Sequence, residues 1–100
     1  MKNVIGYIKL KYSEPIKIEH IALACGLNRS YLTRLFKEAT GYTLQEYLLT
    51  YRMKMALQML KEGDKSIQDI AFSVGYTDTF TFSKAFKRHF GKSPSNYRDE

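Results

Sequence analysis

Apolar residues along this chain recur every three or four positions rather than every second one, so the pattern predicts helices throughout and no strand. Val4, Ile5, Ile8 and Tyr12 mark a first helix that ends before Ser13-Glu14-Pro15. Ile18 to Ala24 forms a short second helix, apolar at Ile18, Ile21 and Ala22 and closed by Gly26. Lys17 is a poor cap for its start. Asn28 is a good N-cap for a third helix, whose inner face is Leu32, Leu35 and Phe36 and whose end is Gly41. Thr43 and Glu46 form a capping box that opens the longest helix, running to about Glu62. Its apolar stripe is Leu44, Tyr47, Leu48, Tyr51, Met55, Met59 and Leu60. Ser66 and Asp69 resemble a second capping box, starting a helix with Ile67, Ile70, Ala71 and Val74. Thr77 or Asp78 can cap the next, which carries Phe82, Phe86 and Phe90. Ser93-Pro94 then begins a last short helix through Tyr97, with proline at its first position. The reading is an all-α fold of about seven helices.

Within that pattern the chain repeats itself. I-E-H-I-A-L-A-C-G-L begins at Ile18, and I-Q-D-I-A-F-S-V-G-Y begins at Ile67. The copies converge again in L-F-K-E-A-T-G, ending at Gly41, and A-F-K-R-H-F-G, ending at Gly91; Tyr47 and Tyr97 follow at equal distance. The second copy holds one extra residue between Gly75 and Phe82. Internal repeats decide architecture. Each copy here has the outline of a helix, a Gly turn and a second helix, the unit that sets one helix into a DNA major groove. With the inner residues packed, the second helix of copy one turns out Arg29, Ser30, Thr33, Arg34 and Lys37. Copy two turns out Thr79, Phe80, Thr81, Ser83, Lys84 and Lys87. Both faces are basic, small or hydroxylic. Arginine can pair bidentately with guanine, and threonine methyls or an exposed phenylalanine can contact thymine methyls. A solvated helix surface is the plainer alternative, and Phe80 argues against it.

Composition narrows the partner. The 100 residues suit one compact unit or two very small ones, and 44% hydrophobic content suffices for a core. Sixteen Lys and Arg against ten Asp and Glu give a net charge of +6, favouring nucleic acid ahead of an anionic membrane surface. A merely soluble basic surface has the same balance. Cys25 is the one cysteine, which excludes an internal disulfide or a cysteine-rich zinc site and suits a buried small hydrophobe. The apolar run around it is too short to span a bilayer, and the first residues lack a signal-peptide layout; the chain reads as cytoplasmic. His20 and His89 are single and distant in sequence, with no paired carboxylates or phosphate loop, so no enzyme, cofactor or metal is expected. A helical protein-interaction module competes with DNA binding. Salt dependence separates them, because phosphate contacts weaken as salt rises.

The residues resemble the DNA-binding domain of the AraC/XylS family of bacterial transcription regulators. The second copy carries I-x-x-I-A-x-x-V-G-Y-x-D from Ile67 and F-S-x-x-F-K-x-x-F-G-x-S-P-x-x-Y-R from Phe82. The first carries I-A-x-x-x-G-L-N-x-S-Y-L-x-R-L-F-K-x-x-x-G from Ile21, followed by Y-L-x-x-Y-R-x-x-x-A-x-x-x-L from Tyr47. The resemblance implies two tandem helix-turn-helix three-helix subdomains, about residues 3–42 and 66–98, joined by a long linker helix over about 44–62. It also implies sequence-specific binding of double-stranded operator DNA, with regulation of transcription and the two recognition helices in adjacent major-groove segments. By position, the family's base-reading sites fall on Ser30, Thr33 and Arg34, and on Thr79, Phe80, Thr81, Ser83 and Lys84. Phosphate contacts are expected from Arg29, Lys37, Lys87, Arg52 and Ser66.

Lys84 stands where the family often has arginine, which weakens bidentate guanine reading there. The expectation is a guanine-selective first recognition helix and a second that depends on methyl contacts and DNA shape. Arg52 and Arg98, each following a tyrosine, suit tying helices together or touching phosphate. Asp78 suits a cap or brace, since a carboxylate facing DNA would repel it. The opening V-I-G-Y-I-K-L-K-Y looks like the domain's own first helix, so a C-terminal fragment of a longer regulator is expected. The family resemblance implies RNA polymerase as a partner, and a further domain that binds a small-molecule effector such as a sugar and dimerises.

Overall fold

The computed structural model describes residues 2–99, and among them every regular element is a helix. In chain order these are α1 (Lys2–Lys11), α2 (Ile18–Ala24), α3 (Arg29–Thr40), α4 (Leu44–Glu62), α5 (Ile67–Ser73), α6 (Thr79–Phe90) and α7 (Pro94–Arg98). Their ends follow from local chemistry. Asn28 Oδ1 accepts from the N–H groups of Ser30 at 2.9 Å and Tyr31 at 3.2 Å, satisfying two donors that α3 cannot satisfy itself. The α4 capping box is reciprocal: Glu46 N–H donates to Thr43 Oγ1 at 3.0 Å, and Thr43 N–H to Glu46 Oε1 at 2.8 Å. Ser66 and Ser93 each accept from the N–H three residues on. Of the two candidate caps for α6, Asp78 is the one used. Lys17 makes no side-chain cap for α2.

The chain packs as two units, Met1–Tyr51 and Arg52–Glu100, with the boundary inside α4. The core of the first is Val4, Ile8, Ile21, Ala22, Leu32, Phe36 and Leu44. Cys25 packs against it only partly buried, less enclosed than its apolar run suggests. In the second unit Ile70, Ala71, Val74, Phe82 and Phe86 are buried. The Phe86 ring meets those of Phe82 and Phe90 along α6 and that of Tyr97 in α7, with centroids 5.8, 4.6 and 5.9 Å away, so an edge-to-face contact ties α6 to α7.

One expected face is corrected. The apolar stripe read along α4 omits Met53 and Ala56, yet both are fully buried, while Met55 and Met59 are only partly so. At ~100° per residue, Met53 lies about 180° round the helix from Leu44. A single stripe cannot describe a helix whose two halves serve different cores: Leu44 belongs to the first unit, and Met53, Ala56 and Leu60 are buried within the second. Among the described residues, no helix is long and apolar enough to cross a membrane.

Candidate nucleic-acid interface

The two copies match in helix length, turn glycine and hydrogen bonding. In each, a seven-residue helix turns through a positive-φ glycine into a twelve-residue helix. The turn glycines are Gly26 and Gly75, with φ of 67° and 101°. Across the turn Leu27 N–H donates to Ala22 O at 2.8 Å, and Tyr76 N–H to Ala71 O at 3.0 Å. The extra residue of the second copy falls in this turn, between Tyr76 and the cap Asp78, where it lengthens the turn and leaves both helices intact. Both twelve-residue helices then end on a left-handed glycine, Gly41 and Gly91, with φ of 82° and 85°. That conformation favours glycine because an L side chain crowds its own backbone there.

In α3, Leu32 and Phe36 are buried while Arg29, Ser30, Thr33, Arg34 and Lys37 are exposed. Their chemistry is less uniform than their exposure. Arg29 is paired with Glu19 of α2 at 2.6 Å. Lys37 donates to Gly41 O at 3.1 Å and lies 3.9 Å from Glu46. Thr33 donates its hydroxyl hydrogen to Arg29 O at 2.9 Å, leaving its methyl and its acceptor lone pairs available. Arg34 has no carboxylate partner among the described residues; its guanidinium lies over the Tyr31 ring, 5.8 Å from the centroid.

In α6, Phe82 and Phe86 are buried, and Phe80, Thr81, Lys84 and Lys87 are exposed. Thr79 and Ser83 are only half-exposed, at the edges of the outward face. Phe80 is 71% exposed, so it is not a core residue, and Lys84 Nζ sits 5.2 Å from its ring centroid. Thr81 is engaged with Asp78 through both its N–H and its hydroxyl. Those two bonds, the N–H first, hold the Asp78 carboxyl below its usual range. Ser66 Oγ accepts from Asp69 N–H at 3.0 Å and is exposed at the start of α5. Arg52 is half-buried with its guanidinium 5.8 Å from the Tyr76 centroid, bracing α4 on the turn after α5. Burial lowers its pKa and raises that of Tyr76.

Sequence patterning gave Tyr31 no role. The signal available for it was an aromatic residue three positions before an outward arginine, a helical-neighbour spacing.

This geometry defines a tandem helix-turn-helix domain, and the comparisons agree. A family model described as a helix-turn-helix domain matches residues 21–100. The chain is 42% identical over its whole length to the Msm operon regulatory protein of Streptococcus mutans, of which it spans 36%. It is 34% identical over 98 residues to regulatory protein SoxS of Escherichia coli, covering 98% of this chain and 92% of SoxS. Among solved structures, the DNA-binding domain of AdpA in complex with a target DNA matches with a TM-score of 0.90 at 26% identity, over 96% of this chain and 86% of that one. The chain belongs to the AraC/XylS family of helix-turn-helix, DNA-binding transcription regulators.

Proposed function

We propose that the chain binds double-stranded operator DNA by placing α3 and α6 in two adjacent major-groove segments, so that one polypeptide reads two unlike half-sites and regulates transcription. The observation that carries this is the pair of matched twelve-residue helices, each buried on one side and basic or hydroxylic on the other. The base-reading side chains are Ser30, Thr33 and Arg34 from α3, and Thr79, Phe80, Thr81, Ser83 and Lys84 from α6. Arg29, Lys37, Lys87 and Ser66 meet phosphate, whereas the half-burial of Arg52 against Tyr76 supports a bracing role. The domain divides functionally into residues 3–42, a linker helix over 44–62, and residues 66–98. It acts in the cytoplasm without catalysis.

In the whole regulator this domain works beside a part that binds a small-molecule effector and dimerises, and it engages RNA polymerase at the promoter. The Msm operon relative, of which the chain spans 36%, supports a longer protein.

Alanine at Arg34 or Lys84 tests the base-reading assignment. Each should lower affinity for a selected site by ~5- to 150-fold, the equivalent of ~1–3 kcal/mol, and lower affinity for random duplex far less. Equal losses on both duplexes would make these residues phosphate contacts. Affinity should also fall with rising salt at a logarithmic slope of ~0.9 per phosphate neutralised. A flat salt response would favour a protein partner instead.

A further inference from the structure

The geometry points to Tyr31 as a positioning residue for guanine recognition: its ring backs the Arg34 guanidinium and aims the N–H fork into the groove. This rests on the reading of Arg34 as a base-reading residue and adds the group that orients it.

Tyr31 is 45% exposed on the same helix as the candidate base readers. A large aromatic ring half in water beside a DNA-facing surface gains little as core. Its backbone is fixed, because its N–H donates to the Asn28 cap at 3.2 Å. The Arg34 guanidinium carbon lies 5.8 Å from its ring centroid, within the range of cation–π attraction. Arginine is the cation for which such a contact matters most. Its guanidinium is planar, so contact over the ring can leave the in-plane N–H groups free, and those pair bidentately with guanine O6 and N7.

The other cations of α3 are differently occupied, Arg29 by Glu19 and Lys37 by Gly41 O and Glu46. Ring support in place of a carboxylate restricts the Arg34 side chain without neutralising it.

Copy two carries a related pair with a different outcome. Phe80 and Lys84 are four residues apart, whereas Tyr31 and Arg34 are three apart. At ~100° per residue, the aromatic lies about 60° to one side of the cation in α3 and about 40° to the other side in α6. The cation in α6 is an ammonium, a point charge with no planar fork to orient. Ring support therefore sharpens guanine reading in the first copy and leaves the second to methyl contacts.

The test uses a duplex enriched by this chain from a randomised pool, with each guanine of the α3 half-site replaced in turn by 7-deazaguanine, which lacks N7. Wild type, Tyr31→Phe, Tyr31→Leu, Arg34→Ala and the Tyr31→Leu/Arg34→Ala double variant are compared on these duplexes and on random DNA. Wild type and Tyr31→Phe should share one guanine where the replacement costs about tenfold in affinity. Tyr31→Leu should lose at least about threefold of that discrimination, with unchanged affinity for random DNA, and add nothing once Arg34 is alanine. Full discrimination in Tyr31→Leu alongside its loss in Arg34→Ala would overturn the role of Tyr31 alone. So would an equal loss by Tyr31→Leu on selected and random DNA. Full discrimination in Arg34→Ala would overturn the base-reading assignment and this inference with it.

Discussion

Asp78 accepts twice from Thr81: at Oδ1 from its backbone N–H, 2.7 Å away, and at Oδ2 from its hydroxyl, 2.8 Å away. The equivalent cap in the first copy is Asn28, which is neutral. The N-termini of α3 and α6 therefore differ in charge, which matters if these ends lead into a groove as proposed. Asp78→Asn keeps an acceptor for the helix end, since asparagine and aspartate cap about equally well. It removes a negative charge that would face phosphate. DNA affinity should rise several-fold on selected and random duplexes alike, while Tm near neutral pH falls slightly, because asparagine keeps the N–H acceptor but loses the charge and the second acceptor. Asp78→Ala should lower Tm, because the cap itself is gone. Unchanged DNA affinity in Asp78→Asn would show that this end of α6 does not approach the backbone.

The same carboxylate belongs to a group of three with a predictable pH response. Asp78 is held low chiefly by the Thr81 N–H, Glu46 by the Thr43 N–H, and Glu19 by its own N–H, then Arg29. Depressed folded-state values mean that their contribution to stability is present above the ordinary carboxylate range. It is lost as pH falls below about 4, through the folded values. Tm should be level from pH 7 to 5 and fall towards pH 3. Glu46→Gln, which keeps an acceptor for Thr43 N–H, should make that fall shallower; a fall of the same depth would assign the acid sensitivity to other groups.

Met53 and Met55 separate the two faces of α4. Met53 is fully buried and Met55 only partly so. Met53→Ala should cost ~2–5 kcal/mol in urea unfolding, the range for emptying a packed core site. Met55→Ala should cost less, because part of its side chain already meets water and less buried apolar area is lost. The reverse order would restore a single stripe centred on Leu44 and Met55.

Glycine substitutions should divide by backbone conformation alone, because an added Cβ meets nothing within 4 Å at Gly6 or Gly91. Gly91 has φ of 85°, so Gly91→Ala should destabilise by ~1–2 kcal/mol. Gly6 lies within α1 without a positive φ, so Gly6→Ala should stabilise by ~0.5–1 kcal/mol. Thermal unfolding of the two variants checks both signs.

Much of the fold was legible because its signals are local. Asn28, Thr43, Ser66 and Ser93 announce helix starts by side-chain chemistry that acts within three residues, and Gly41 and Gly91 announce ends by a conformation that glycine adopts readily. Met53 was not legible, because a stripe drawn from one face presumes one core for the whole of α4. The interface divides in the same way. Helical periodicity sufficed to turn Arg29, Arg34 and Lys37 outward together. Their different states depend on Glu19 in another helix, on the carbonyl of Gly41, on Glu46 and on the Tyr31 ring. Those are contacts across space that spacing along one helix does not encode.

The proposed mode of binding gives α3 and α6 separate halves of one site. Its most direct measurement is the affinity of wild type, Arg34→Ala and Lys84→Ala for a selected duplex, with the first half, the second half or both halves scrambled. Scrambling the first half should weaken wild type and Lys84→Ala alike and Arg34→Ala less, while scrambling the second should weaken wild type and Arg34→Ala alike and Lys84→Ala less. If each alanine variant remained as sensitive as wild type to both scrambled halves, the assignment of one helix to one half-site would be contradicted.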